Sequence, residues 1–275
     1  MTNVIEQHYS TDGIAERILA AVRATLKPGE ALSPEALAPV DHFHGGGLAS
    51  TREMVKALAP TPADRVLDIG SGIGGPARWI ARTFGCHVTG IDLTADFCRA
   101  AETLNAATGL QPQVQIVHGS ALSMPFADGS FDRAYSQNVV MNIADKVAFY
   151  REARRVLKPG GILVLSNLVR GTGPEPTYPT PWAATAATSF LSTPEVTKTE
   201  IAAAGLRIVS FKAESSSASL AAQKTQRQKL EAEGLPALGP HLIVGRRLHE
   251  YRLNSLRNSE DGRIVAIEVV AERTA

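Results

Sequence analysis

The alternation of strand-like and helix-like segments is the feature that most limits how this chain can fold. Short apolar runs that suit buried strands alternate five times with segments whose apolar residues recur at helical spacing. The predicted strands are Arg65–Ile69, His87–Ile91, Val114–Val117, Phe131–Ser136 and Ile162–Leu165. Such alternation predicts an α/β fold with a parallel sheet, helices on both faces, and ligands bound at the carboxyl ends of the strands.

Local signals predict where the core helices begin and end. Pro76 suits the first position of the helix after the first strand, and Gly85 suits its end. Thr94 and Asp145 are predicted to cap the helices after the second and fourth strands, because a side-chain oxygen there can accept a free backbone N–H.

The rest of the chain is expected to surround the sheet. Residues 1–60 are predicted to be an N-terminal helical cap, with helices over 13–26 and 49–58 joined by a Pro- and Gly-rich stretch. Residues 61–275 are predicted to be the core domain, with a lid segment at about 170–258. This lid is expected to contain a Pro-rich loop, a Ser-rich helical segment and a helix over 242–256.

Composition excludes several classes of protein. The 28 Lys and Arg residues nearly balance the 27 Asp and Glu residues, so no basic excess favours nucleic acid. The longest aliphatic run, Ile162–Leu165, is far shorter than the roughly 20 apolar residues of a membrane span. Cys86 and Cys98 lack CxxC spacing and are expected to be reduced, without a metal or disulfide framework. These features predict a cytoplasmic protein without a membrane or nucleic-acid partner.

A glycine-rich turn follows the first strand, in the segment Asp68–Gly75. Its Gly70, Gly72 and Gly75 also satisfy the GxGxxG spacing of dinucleotide-binding proteins. The carboxylate of Asp68 argues against a pyrophosphate, because like charges would lie side by side, whereas it would attract a cofactor that carries ammonium and sulfonium groups. Asp92 ends the second strand, where a carboxylate accepts hydrogen bonds from the hydroxyls of a ribose.

These residues resemble the motifs of class I S-adenosylmethionine-dependent methyltransferases. The resemblance covers about residues 60–170 and rests on four segments in register: Val66–Gly74, Gly90–Asp92, Met124–Asp132 and Leu157–Gly161. It implies a Rossmann-like, seven-stranded, mostly parallel sheet whose last strands come from 206–212 and 263–270, and S-adenosyl-L-methionine as the cofactor. The binding residues that it implies in this region are Asp68, Gly70, Gly72, Gly74, Asp92, Leu93, Ser120, Ala121 and Gln137.

A narrower resemblance extends outside the core. His8–Gly13, Asp41–Gly46 and Ser136–Ile143 are similar to segments of the sarcosine/dimethylglycine, tocopherol-type and phosphoethanolamine methyltransferases. This branch implies that Tyr9 closes over the cofactor and that Gly46 touches the methionine end of the cofactor. Asn142 stands where the phosphoethanolamine enzymes carry a His, which disfavours a phosphobase acceptor.

Methyl transfer needs alignment of the acceptor and exclusion of water more than it needs a strong base. For a small amine, such as a glycine derivative, oxygens of Tyr9, Asn138 and Asn142 are candidates to orient the nucleophile. For a phenolic, quinone, polyketide-type or thiol acceptor, a base is needed, and the candidates are His8, His44 and His241. The spacing of these residues leaves both acceptor classes open.

Several other features have two interpretations each. Trp182 and Tyr178 after the fifth strand form either the core of a packed loop or an aromatic wall for a cationic acceptor. The His42-x-His44 pair resembles half of a metal site, but no second pair of ligands lies at a workable spacing, so no metal is expected. A protein that binds the cofactor without catalysis is the alternative to an enzyme. A homodimer is a further possibility for the assembly of the chain.

Overall fold

One sheet of seven strands forms the centre of the protein. The computed structural model describes residues 12–42, 44, 46–213, 224–225, 228, 231–232 and 234–275. Along the sheet the strands lie in the order β3-β2-β1-β4-β5-β7-β6. Their bounds are β1 Arg65–Ile69, β2 His87–Asp92, β3 Val114–His118, β4 Phe131–Gln137, β5 Leu157–Arg170, β6 Leu206–Ala213 and β7 Ile264–Arg273.

The sheet is mostly parallel, so the predicted fold class is confirmed. Strands β1 to β5 pair in parallel, and β7 is antiparallel to both β5 and β6. The strand order reverses between β1 and β4, which is where the crevice at the carboxyl edge of such a sheet opens for a ligand. The segments that follow Ile69 and Gln137 therefore meet at one place.

Helices cover both faces of this sheet and its carboxyl edge. Their bounds are α1 Ile14–Arg23, α2 Pro34–Asp41, α3 Gly47–Leu58, α4 Gly75–Phe84, α5 Ala95–Ala107, α6 Lys146–Val156, α7 Pro194–Ala203, α8 His241–Val244 and α9 Leu248–Glu260. Asp145 caps α6 as predicted, because its side chain accepts a hydrogen bond from Ala148 N.

Alternating side chains of the strands build a separate apolar core on each face. Leu67 and Ile69 of β1 pack with Phe149 and Ala153 of α6 on one side. Val66 packs on the other side against the opposite core, to which α3 and α4 contribute. A third cluster joins α1, α2, α5 and α8 to Ile73 of the glycine turn, so the N-terminal helices pack directly beside that turn.

Two helices were not predicted. Pro34–Asp41 lies in the stretch that was expected to be a Pro- and Gly-rich connection, and Pro194–Ala203 lies within the expected lid segment. Both begin with Pro in the first turn, where the missing N–H costs nothing, after a hydroxyl cap from Ser33 or Thr193.

Other boundaries also differ from the prediction. Within the described chain the Thr94 side chain makes no cap bond with α5; its backbone N–H instead donates to Asp92 Oδ1. Strand β5 begins at Leu157, five residues before the predicted Ile162. The helix predicted over 242–256 is divided by a 3₁₀ turn at Gly245–Arg247, because Gly245 leaves the helical conformation with φ 66° and ψ −149°.

A Ser-rich helical segment was also predicted in the lid, and the serines at 215–217 and 219 lie outside the described residues. In the parts of the chain that are described, each helix is too short or too polar to cross a membrane.

Candidate functional site

The glycine turn folds back onto β2 directly after β1. Gly70 N and Ser71 N both donate to Ile91 O, at 2.8 and 3.1 Å, which fixes the start of the turn. Gly70 has φ 80°, and a Cβ there would lie 2.2 Å from Val139 Cγ2. Both the backbone conformation and the packing against Val139 therefore require glycine at this position.

Gly72 has a different environment from Gly70. It also has positive φ, at 53°, but an added Cβ would meet no atom of the described residues within 4 Å. The turn thus presents bare backbone to an open space at the carboxyl edge of the sheet. Gly72 N donates to Asp92 Oδ2 at 2.8 Å, so the turn is tied to the end of β2.

Asp92 is held by backbone donors on both carboxylate oxygens. Oδ2 accepts from Gly72 N, and Oδ1 accepts from Thr94 N at 2.9 Å. Each carboxylate oxygen has a further lone pair, so Asp92 can still accept hydrogen bonds from a diol. Gly119 N donates to Asp92 O at 2.9 Å, which brings Ser120 and the segment after β3 next to this carboxylate.

Asp68 is buried beneath the turn. Burial, together with the charge of Asp92, raises the pKa of Asp68 to about 7, although the hydroxyl of Tyr135 opposes the shift. Asp68 and the Tyr135 hydroxyl lie close enough to shift each other's pKa, and neither Asp68 Oδ2 nor that hydroxyl has a further partner among the described groups. A buried carboxylate that no described cation neutralises, beside an open cradle of glycines, fits a ligand that brings a positive charge.

The other predicted cofactor residues lie around this edge. Leu93 O bonds to His118 Nε2 at 2.9 Å, and Ser120 Oγ accepts from Leu122 N at 3.2 Å. Ala121 packs against the core on the α6 side of the sheet. The structure therefore brings together the residues predicted at the ends of β1, β2 and β3.

Gln137 and Asn138 stand at the end of β4. Gln137 is buried, and its Oε1 accepts a hydrogen bond from Thr51 Oγ1 at 3.2 Å. Asn138 has φ 56°, in the left-handed region, and its N–H donates to Ser166 O at 2.7 Å. Asn tolerates this conformation better than most residues do, and it turns the chain away from the sheet at the crevice.

Asn142 is buried, and it holds the loop after β5. Its Nδ2 donates to Trp182 O at 2.6 Å. Trp182 is itself buried with Met141, Ala183 and Ile264, and its Nε1 donates to Ser189 Oγ at 3.0 Å. Of the two interpretations of Trp182, the contacts favour the packed loop core over an exposed aromatic wall.

The N-terminal candidates are only partly described. Tyr9 and His8 lie outside the described residues. Gly46 has φ 153°, and a Cβ there would lie 2.7 Å from Ser50 Cβ, so glycine is required at this position. His44 Nε2 bonds to Thr51 Oγ1 at 3.2 Å. Burial lowers the pKa of His44 to about 4.

Three residues at this edge were not anticipated as functional candidates. Thr51 joins His44 to Gln137, and Arg78 and Asp41 form a buried ion pair at 2.7 Å. Arg78 Nη2 also donates to Ile73 O at 2.7 Å, so this pair connects α2 to the glycine turn. In the sequence, Arg78 is a charged residue beside the apolar stripe of α4. Charged residues in that position usually face solvent, so the sequence alone does not indicate that Arg78 is buried.

The histidine pair does not extend to a metal site. No group of three or more His, Cys, Asp or Glu side chains among the described positions has an arrangement that could hold a metal ion.

Comparisons with known proteins identify the central segment. A family model described as a methyltransferase domain matches residues 67–165. Phosphoethanolamine N-methyltransferase 1 from Arabidopsis thaliana is 38% identical over 125 residues, which are 46% of this chain and 25% of that protein. Glycine/sarcosine/dimethylglycine N-methyltransferase from Actinopolyspora halophila is 33% identical over 118 residues, which are 43% of this chain and 21% of that protein.

A solved structure matches over nearly the whole chain. Geranyl diphosphate C-methyltransferase from Streptomyces coelicolor A3(2) has a TM-score of 0.70 and 17% identity, over 99% of this chain and 98% of that one. The predicted resemblance to class I methyltransferases is confirmed. The chain spans between 21% and 48% of the length of the first curated relatives that it matches.

Proposed function

Because residues 67–165 belong to the methyltransferase domain family, we propose that this protein transfers a methyl group from S-adenosyl-L-methionine to a small-molecule acceptor. The observation that carries the proposal is the buried Asp68 carboxylate, which has no cationic partner among the described residues and stands near the end of β1, before the open backbone of Gly72. A cofactor with a net positive sulfonium and ammonium pair complements this carboxylate, and a pyrophosphate does not.

The cofactor would be held along the carboxyl edge of β1 to β4. Asp92 and Leu93 would hold the ribose, Ser120 and Ala121 the adenine, and Asp68 the positively charged end. The turn glycines would let the backbone approach the ligand, and the methionine end would meet the remaining proposed groups, which are Gly46, Gln137 and Tyr9. When bound, S-adenosylmethionine supplies a methyl group that its sulfonium already activates.

The chain then has to orient the acceptor and exclude water. We assign this role to Tyr9, Asn138, Asn142 and His44. The described histidine candidates favour an acceptor that needs no base: burial lowers the pKa of His44 to about 4, and burial with the charge of Arg252 lowers the pKa of His241. Weak bases of this kind suit a small amine such as a glycine derivative, because a neutral amine attacks with its own lone pair.

The alternative acceptors are phenolic, quinone, polyketide-type and thiol compounds, methylated on O, C or S. A phenol or thiol would need a base outside the described residues, such as His8, or would need to bind already ionised. A solved relative of the same fold is named as a C-methyltransferase, so the fold alone does not choose the acceptor.

Product analysis distinguishes these acceptors. The protein would be incubated with methyl-labelled S-adenosylmethionine and equal panels of amines, phenols and thiols, and the labelled products would be identified by mass spectrometry. Label on nitrogen supports the proposed amine acceptor, and label on oxygen, carbon or sulfur supports the alternative. A protein that binds the cofactor but transfers label to no panel member would favour the non-enzymatic alternative.

The binding of S-adenosylmethionine should depend on pH through Asp68. The pKa of about 7 means that the carboxyl is largely protonated below neutrality, and only its charged form attracts a cation. Since binding must then release one proton, affinity should fall by up to about tenfold for each pH unit below 7.

Calorimetry between pH 5.5 and 7 measures this dependence. Asp68→Asn is the matched control, since it keeps the shape and removes the titration. Its affinity should be low and nearly constant with pH. An equally steep dependence in this variant would assign the effect to another group.

We also propose roles for the segments outside the core and for the partners of the protein. Residues 1–60 would act as a cap and the segment of about 170–258 as a lid over the acceptor. The small-molecule acceptor is the proposed partner, without nucleic acid or membrane, in a cytoplasmic protein. Formation of a homodimer stays a prediction.

A further inference from the structure

The Thr51 hydroxyl lies at the centre of a buried polar network. His42 Nδ1 lies 2.9 Å from Thr51 Oγ1, and His44 Nε2 lies 3.2 Å from the same atom. Thr51 Oγ1 donates to Gln137 Oε1 at 3.2 Å. The network therefore joins the segment that follows α2, the second turn of α3 and the end of β4.

The orientation of the Gln137 amide, together with the single hydrogen of the hydroxyl, assigns the tautomers of both imidazoles. A hydroxyl has a single hydrogen, which here is directed to Gln137 Oε1. With Gln137 Oε1 as the acceptor of that hydrogen, the oxygen accepts from the two rings, which assigns the hydrogen of His42 to Nδ1 and that of His44 to Nε2. Burial lowers the pKa of His42 to about 3 and that of His44 to about 4, so both rings are neutral near pH 7.

Three polar atoms of the network have no hydrogen-bond partner among the described residues. His42 Nε2 and His44 Nδ1 carry lone pairs, and Gln137 Nε2 carries N–H groups; all three are buried without a partner within the described chain. Buried polar atoms of this kind are normally satisfied by a ligand or water. As a whole residue His44 is partly exposed, whereas His42 is buried.

The network borders the proposed site. A Cβ on Gly75 would lie 2.3 Å from Asp41 O, so the residue before His42 packs against the end of the glycine turn. Gln137 lies two residues after Tyr135 on β4, and Tyr135 is paired with Asp68 of β1. Of the nearby cations that affect His42, Arg78 is paired with Asp41, and Arg52 is exposed.

We propose that Thr51 is a positioning residue that holds His44 as a hydrogen-bond acceptor for an amine or ammonium group of the bound ligands, an inference that rests on the proposed function. His44 Nδ1 receives the N–H, and Thr51 prevents the ring from adopting the tautomer that would donate there. The N–H group belongs either to the amino acid end of the cofactor or to the amine acceptor, and the two sources give different results in the test.

The first measurement reads the tautomers directly. Long-range ¹⁵N–¹H spectra of the histidine rings, assigned with His42→Gln and His44→Gln, should show Nδ1–H for His42 and Nε2–H for His44. The opposite tautomer of His44 in the wild-type protein would overturn the proposal. Thr51→Val should release the preference, and Thr51→Ser should keep it.

The second measurement uses S-adenosylhomocysteine and its analogue that lacks the α-amino group. Thr51→Val should weaken binding of S-adenosylhomocysteine about tenfold and leave binding of the deaminated analogue unchanged, if the cofactor supplies the N–H. If the amine acceptor supplies it, both affinities should stay and KM for the amine should rise about tenfold at similar kcat. Thr51→Ser should restore the wild-type values in either case.

Control measurements distinguish failure of the Thr51 proposal from failure of the proposed methyltransferase function. Circular dichroism and thermal unfolding of each variant establish that it is folded, and the wild-type tautomers test the proposal even if Thr51→Val does not fold. Loss of the two affinities in equal proportion, or a change below twofold in both affinities and in KM, would overturn the Thr51 proposal. Failure of the wild-type protein to bind S-adenosylhomocysteine at all would instead contradict the proposed function.

Discussion

Replacement of Arg78 by Met should lower the free energy of unfolding by about 3–5 kcal/mol, the range for removing one partner of a buried ion pair. Arg78 is fully buried, and it donates to Asp41, Asn105, Ala101 O and Ile73 O. Without the guanidinium, the Asp41 carboxylate would remain buried and lose its neutralising partner. Chemical denaturation monitored by circular dichroism measures the change.

Arg82→Met is the matched control for this prediction. Arg82 lies one turn later in the same helix, and its side chain is exposed, so its replacement should change stability by less than about 0.5 kcal/mol. The double variant Arg78→Met/Asp41→Leu should recover part of the loss, because it also removes the unpaired charge. Equal stability of Arg78→Met and wild type would mean that the pair is not buried as described.

Gly72→Val should reduce the affinity for S-adenosylmethionine at least about 100-fold, which corresponds to about 2.8 kcal/mol. The new side chain would enter the open space that the turn presents, where no described atom lies within 4 Å of a Cβ. Isothermal calorimetry on the folded variant measures the loss. The hydrogen bond from the backbone N–H to Asp92 is retained, since it does not involve the side chain.

The strain of a branched residue at positive φ must be separated from this effect. Gly109→Val supplies the comparison: Gly109 has φ 69°, has no described atom within 4 Å of an added Cβ, and lies after α5, away from the turn. Both variants should lose similar stability, of about 1–3 kcal/mol. Only Gly72→Val should lose the cofactor. Normal binding by Gly72→Val would show that the cofactor does not lie over this turn.

The strands of the core could be predicted because each depends on a local pattern. Buried parallel strands are short apolar runs, and the glycine turn joins one such run to the next helix within a few residues. The two helices that were missed begin with Ser33-Pro34-Glu35 and Thr193-Pro194-Glu195. A proline in a Pro-rich stretch suggests a loop, but a proline directly after a hydroxyl residue and before an acid is typical of a helix start.

The cofactor side of the site could be predicted more completely than the acceptor side. Asp68 lies near the end of β1, Gly72 lies in the turn that follows β1, and Asp92 ends the neighbouring strand β2, so the pairing of β1 with β2 brings the three together. Thr51 and Gln137 are separated by 86 positions, and only the packing of α3 against the sheet brings them into contact. Nothing in the local sequence of either residue indicates that contact.

The three anchors of the glycine turn affect how a ligand binds. Glycine has more backbone freedom than any other residue, so a glycine-rich turn is costly to order. If the turn were not anchored, this loss of conformational entropy would occur when the ligand binds and would weaken binding. Ile91 O, Asp92 and Arg78 immobilise the turn in the protein alone. The ordering of the turn is therefore part of folding, and a ligand meets a preorganised cradle. We expect heat-induced loosening of these anchors to weaken ligand binding before the sheet itself unfolds.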